Sequence, residues 1–103
     1  MNVSPTPDFA LVPAYYEWHL IDTNKPQEVL FNIVDPLEDL YDYPDGTPST
    51  YEEVECWLQS SIELALENAK YGEDWNGVIV SKESLPDNAA EIMATALYNY
   101  YIA

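Results

Sequence analysis

Residues 14–34 read AYYEWHLIDTNKPQEVLFNIV, and the alternation in this stretch decides the fold. Tyr16, Trp18 and Leu20 fall on one side of an extended chain, with Glu17 and His19 on the other. A period of two marks a strand with one buried face. DTNKPQ supplies turn residues, and Val29, Phe31 and Ile33 alternate again in EVLFNIV. The reading is an antiparallel hairpin in which residues 14–22 pair with residues 28–34.

Working outward, residues 1–13 hold three of the eight prolines (Pro5, Pro7 and Pro13) and are expected to form an extended N-terminal arm. On the other side, Thr50 with Glu53 three residues on forms a capping box that opens a helix. Val54, Leu58, Ile62, Ala65, Leu66 and Ala69 recur at helical spacing, and Gly72 is a natural stop. The helix is expected over residues 51–71. WNGVIVSK reads as a third strand around Val78 and Val80, and Pro86 suits the first turn of a last helix over residues 86–101. Ala89, Met93, Ala96, Leu97 and Tyr100 form the stripe of that helix. The order is β-β-α-β-α. It describes a small α+β domain over residues 14–103, with both helices on one face of a short, mainly antiparallel sheet.

Size and composition agree with this. A chain of 103 residues and 11.7 kDa makes one domain and buries about two-thirds of its extended surface. With 48% hydrophobic and 14% aromatic residues, it is not compositionally disordered. No repeat at a solenoid period is present. The single Cys56 allows no internal disulfide, which points to a cytoplasmic setting. The first residues, MNVSPTPDFALVP, carry no positive n-region, and Pro13 breaks their short apolar run, so neither a signal peptide nor a membrane span is expected.

Charge is the informative property. Nineteen acids stand against three lysines (Lys25, Lys70 and Lys82) and no arginine, a formal net charge of −16. A small domain needs a net charge of only about 2–8 for solubility, and excess charge of one sign destabilises the compact state. Residues 35–55, DPLEDLYDYPDGTPSTYEEVE, concentrate it: Asp35, Glu38, Asp39, Asp42, Asp45, Glu52, Glu53 and Glu55 lie there without one basic residue. Pro36, Pro44, Gly46 and Pro48 argue for an acidic loop over residues 35–50. A connection of this length in a compact domain is usually functional or mobile.

Several chemistries fail on this pattern. An EF-hand loop with Gly46 at its sixth position gains Asp45 and Glu52, but puts Tyr41 and Tyr43 at the first and third ligand positions. A lone Cys56 and a lone His19 cannot build a structural zinc site, so no metal site is expected. A restriction-type nuclease needs an acid two residues before a lysine, and Thr23, Asn68 and Val80 occupy those positions. Cys56 beside Trp57 on an amphipathic helix reads as a buried, inert thiol rather than a nucleophile partnered by His19. His19 reads as an ordinary residue of the strand's polar face. With Gly46, Gly72 and Gly77 as the only glycines, no phosphate-cradling loop exists. Neither an enzyme nor a cofactor is expected.

What remains is binding. The chain lacks the cations that release counterions from phosphates, so direct nucleic-acid binding is not expected, and its field repels anionic membranes. The same field attracts a basic protein. Acids continue beyond the loop as Glu63, Glu67, Glu73, Asp74, Glu83, Asp87 and Glu91. Residues four apart on a helix are about 6 Å apart along its axis, comparable to neighbouring phosphates on one strand. The expected partner-binding surface comprises Asp35, Glu38, Asp39, Tyr41, Asp42, Tyr43, Asp45, Glu52, Glu53 and Glu55, the tyrosines supplying contact area at low entropic cost.

In composition the chain resembles, as a class, the DNA-mimic inhibitors of phages and mobile elements, among them anti-restriction and anti-CRISPR proteins. It is similar in kind to acidic immunity proteins that neutralise basic nuclease toxins. The resemblance carries no motif and no residue role. It implies a non-enzymatic inhibitor that occludes the cationic groove of a nucleic-acid-binding protein, acting in a host cytoplasm. The alternative is a small structural or assembly adaptor that docks a partner through an apolar helix face. Sequence does not decide between a monomer and a homodimer.

Overall fold

The computed structural model describes residues 8–36, 40–42 and 47–102, with residues 41, 42 and 47 described through their backbone alone. Strands β1 (Phe9–Ala14), β2 (Glu17–Asp22) and β3 (Val29–Val34) form one antiparallel sheet in that order. A two-stranded ribbon, β4 (Tyr41–Asp42) with β5 (Thr47–Pro48), follows. Helices α1 (Tyr51–Ala69) and α2 (Ala89–Tyr101) complete the chain. The domain is a small α+β fold, as the alternation and helical spacing require.

The hairpin of β2 and β3 forms with Trp18 opposite Ile33 and Leu20 opposite Phe31. On the other side of β2, Leu11 of β1 faces Leu20. These five side chains are buried and join α1 (Val54, Leu58, Ile62, Ala65) and α2 (Ala89, Ala90, Met93, Ala94, Leu97) in one continuous core. Phe31, Leu20, Leu40, Leu58, Met93, Leu97 and Val54 are its largest fully buried members, each worth about 1.5–3 kcal/mol of hydrophobic stabilisation. Three alanines on the buried side of α2 let it lie close against its neighbours.

Residues 9–13 are not an arm. They are most of β1, hydrogen-bonded along β2 from Phe9–Asp22 to Ala14–Glu17. Proline lacks a ladder donor but is tolerated on an edge strand, and Pro13 occupies one. Residues 1–7 lie outside the described residues. Tyr16 is not a core-facing strand residue either. It closes the two-residue turn from β1 to β2 at φ +62° and is 72% exposed.

Apart from the two-residue strands of the β4–β5 ribbon, the order is β-β-β-α-α, not β-β-α-β-α, because the expected third strand is a turn. Trp75 and Val78 exchange backbone hydrogen bonds of 2.7 and 3.0 Å around Asn76 and Gly77, which take φ +51° and +89°. Asn-Gly with both residues left-handed makes a two-residue hairpin turn, and pairing stops at that bridge. Val80 is nonetheless buried and Ile79 exposed, so the alternation is satisfied without a ladder. Trp75 Nε1 and Asn76 Nδ2 donate to the Asn32 carbonyl on the open edge of β3, where a fourth strand would otherwise lie.

Both ends of α1 follow their sequence signals. Glu53 N–H donates to Thr50 Oγ1 and Thr50 N–H to Glu53 Oε1, the two bonds of the capping box. At the far end, Gly72 at φ +77° allows its N–H to reach Ala69 O and that of Glu73 to reach Asn68 O, a Schellman turn. The start of α2 falls three residues later than the proline suggested. Pro86 accepts from Ala89 N–H in a preceding turn, and Asn88 takes the cap position.

The acidic connection is pinned to the core at both ends. Leu40 is fully buried, accepts from Ser49 N–H at 2.8 Å and donates to Pro36 O at 3.0 Å. Among the described residues no helix is long and apolar enough to cross a membrane.

Candidate acidic binding groove

A solvent-facing flank of α1 presents Glu52, Glu55, Cys56, Gln59, Ser60 and Glu63 at spacings of three and four, so they share one side of the helix. Residues 87–91, leading into α2, lie across from them. Between the two runs a groove of about 550 Å³ is lined by Glu52, Glu55, Glu63, Asp87 and Glu91, with the small Ala90 also in its wall. Five carboxylates therefore share one groove, and no lysine, arginine or histidine lines it.

Two features let the fold tolerate this. Glu52 sits in the first turn of α1 and Glu91 in the first turn of α2, where the positive end of the helix dipole favours a carboxylate. The side chains also face water, where like charges repel weakly. Among the described residues the ion pairs are Lys70 with Glu67 (3.0 Å) and His19 with Glu17 (2.7 Å), neither of them in the groove. Within the groove, Gln59 Nε2 donates to Glu63 at 3.3 Å.

The expected binding residues separate into groups. Glu52 and Glu55 line the groove. Glu53 does not: its carboxylate belongs to the capping box. Asp35 follows β3 at φ +49°, exposed, and lines a different concavity near Tyr16 and Tyr100. Tyr41 and Asp42 are placed by their backbone in β4, and Glu38, Asp39, Tyr43 and Asp45 lie outside the described residues. Glu63, Asp87 and Glu91 join Glu52 and Glu55 through the packing of α2 on α1. Sequence showed them to be acidic but not that they converge.

Cys56 is exposed in the groove rather than buried. Its position was legible: two residues from Val54, it lies about 200° round the helix from the buried stripe. His19 is half-buried and hydrogen-bonded to Glu17, and it does not line the groove that holds Cys56. The residues 41–52 tested as a calcium loop are not described throughout. Among the described residues no group of three or more His, Cys, Asp or Glu is disposed to hold a metal ion.

Other carboxylates are tied into the fold. Glu17 accepts from the Asn32 amide at 2.9 Å and from His19 at 2.7 Å; the Asn32 bond first, then the histidine, hold its carboxyl below the ordinary glutamate range. Asp22 is likewise lowered, chiefly by the backbone N–H of Asn24 at 3.0 Å. Asn32 itself is 4% exposed, and its amide nitrogen also donates to Asn76 O at 3.1 Å.

Compared with known proteins, the chain matches no family model, no curated protein and no solved structure. The functional reading therefore rests on the groove and the charge.

Proposed function

We propose that the chain is a non-enzymatic inhibitor that occludes the cationic nucleic-acid-binding groove of a basic partner in the cytoplasm. The observation that carries this reading is the convergence of Glu52, Glu55, Glu63, Asp87 and Glu91 on one groove with no cation lining it. Such a surface offers rows of anionic oxygens to lysines and arginines that otherwise hold phosphates. Its field, backed by the formal charge of −16, speeds encounter with a positive surface. Inhibition is stoichiometric occlusion, and the carboxylates take the place of the nucleic-acid backbone.

The adaptor alternative has less to draw on. The apolar stripes of both helices are used inside the molecule, with Val54, Leu58 and Ile62 of α1 and Met93, Ala94 and Leu97 of α2 buried. Capture on the immobilised chain from a nuclease-treated cell lysate, with and without excess duplex DNA, tests the proposal. Nucleic-acid-binding proteins should be retained and then released by the DNA, and retention should fall steeply with salt. Partners that stay bound against excess DNA and high salt would overturn it.

A further inference from the structure

The end of the sheet opposite the β2–β3 loop carries a second concavity, of about 440 Å³, whose walls include Tyr16, Glu17, Trp18, Asp35, Tyr100 and Tyr101. Trp18 is its buried base. The Tyr100 and Tyr101 rings meet the indole edge-on at 5.0 and 6.0 Å, and Trp18 Nε1 donates to the Tyr101 hydroxyl at 3.0 Å. Tyr16 and Tyr100 stand out as exposed flanks, 72% and 66% accessible.

The backbone holds this arrangement against its own preference. Tyr16 and Asp35 both take left-handed conformations, at φ +62° and +49°, and Asp35 N–H donates to Tyr16 O at 3.4 Å. Glycine or asparagine would take the Tyr16 position with less strain. A tyrosine there is strained and solvent-exposed together, a combination that stability alone does not favour.

Three sources of negative potential meet at the same place. Asp35 contributes an exposed carboxylate, whereas both oxygens of Glu17 are already engaged by Asn32 and His19. The C-terminal turn of α2, which bears Tyr100 and Tyr101, contains no basic residue, so the negative end of its dipole is uncompensated. The exposed Tyr16 and Tyr100 rings add the negative side of their quadrupoles. None of the three lysines lines the concavity, and the chain has no arginine. The cation that suits it comes from outside.

We propose that this aromatic and acidic pocket takes an arginine side chain of the basic partner, as a contact separate from the α1–α2 groove. A guanidinium stacks flat on a tyrosine face while its edge donates to a carboxylate. A lysine ammonium, more strongly hydrated and without a planar face, gains less in so open a site. The partner's identity as a basic protein rests on the proposed function, whereas the pocket's preference for guanidinium can be measured without any partner.

The probes are acetyl-arginine amide, its lysine counterpart and its neutral citrulline isostere, each titrated into the full chain and followed by ¹H–¹⁵N spectra. The Trp18 indole N–H and the amides of residues 100 and 101 should shift saturably with arginine, less with lysine and not with citrulline. Asp35→Asn should weaken the arginine response several-fold. Tyr16→Asn should raise the melting temperature by relieving the turn yet weaken the response, an outcome that a merely structural tyrosine would not give. Equal shifts with arginine and citrulline, or shifts along α1 with Trp18 unmoved, would overturn the pocket. The two readings fail separately. A Trp18 response alongside partner capture that is indifferent to the groove carboxylates upholds the pocket and sinks the groove; groove-dependent capture with Trp18 silent does the reverse.

Discussion

The carboxylates of the β2–β3 hairpin and those of the α1–α2 groove have the same chemistry and opposite surroundings. Glu17 accepts from Asn32 and His19, and Asp22 from Asn24 and Asp8. Each is part of how the hairpin holds its shape. In the groove, Glu52, Glu55, Glu63, Asp87 and Glu91 face one another across open space with no cation among the lining residues. The difference separates two roles inside one formal charge of −16. Acids with donors serve the fold, and acids gathered without cations cost the fold something, a cost that the proposed basic partner would offset.

The sharpest way to break the comparison is to make a hairpin acid lose its donor. Asn32→Asp keeps the shape but turns the nitrogen that donates to Glu17 and Asn76 into a second acceptor at a buried position. The fold should lose about 1–3 kcal/mol, the cost of leaving a buried polar group and its acceptors without a donor. Chemical denaturation measures this directly, and a loss within about 0.5 kcal/mol, typical of surface changes, would show that the network is not structural.

The converse change is Glu52, Glu55, Glu63 and Glu91 together to Gln, which removes four charges and preserves shape. Partner capture should weaken roughly 100-fold, through slower association and lost charge-assisted hydrogen bonds. Melting temperature at low salt should hold or rise, because self-repulsion falls. Binding lost with the fold kept sharpens the distinction; a variant that unfolds erases it.

The smallest effect is a pH dependence. Because Glu17 is lowered in the folded state, its contribution is fully present above the ordinary glutamate pKa of about 4.3. It is lost as pH falls through the lower folded value. Glu17→Gln should therefore be less stable than the parent at neutral pH, and the gap should close as the pH falls below about 4. Thermal melts across that range check it, and a gap that stays constant would mean that the hydrogen bonds to Glu17 do not distinguish its charged form.

Much of the architecture was legible because it depends on local periods. The alternation of Trp18, Leu20, Phe31 and Ile33 specified the hairpin, and Thr50 with Glu53 and Gly72 specified both ends of α1. What failed was decided by neighbours remote in sequence. Pro13 reads as a break until β1 is known to be an edge strand, where its missing donor matters little. Val78 and Val80 alternate as a strand does, but the open edge of β3 meets Trp75 and Asn76 side chains instead. Asn76-Gly77 is itself a two-residue turn signal, and it pointed to the outcome. The site was legible as charge and not as shape. Glu52 and Glu55 could be placed on α1, but their meeting with Asp87 and Glu91 follows from how α2 packs, which no local period encodes.

Cys56 gives the most direct test of the central claim, because the chain's one cysteine is exposed in the groove. The rate at which a neutral maleimide modifies it should be measured on the free chain, with a saturating amount of a captured basic partner, and again after excess duplex DNA displaces that partner. The account predicts strong protection by the partner and full recovery of the free rate with DNA. A thiol that reacts equally fast in all three conditions would show that the partner does not occupy the groove, and would contradict the account.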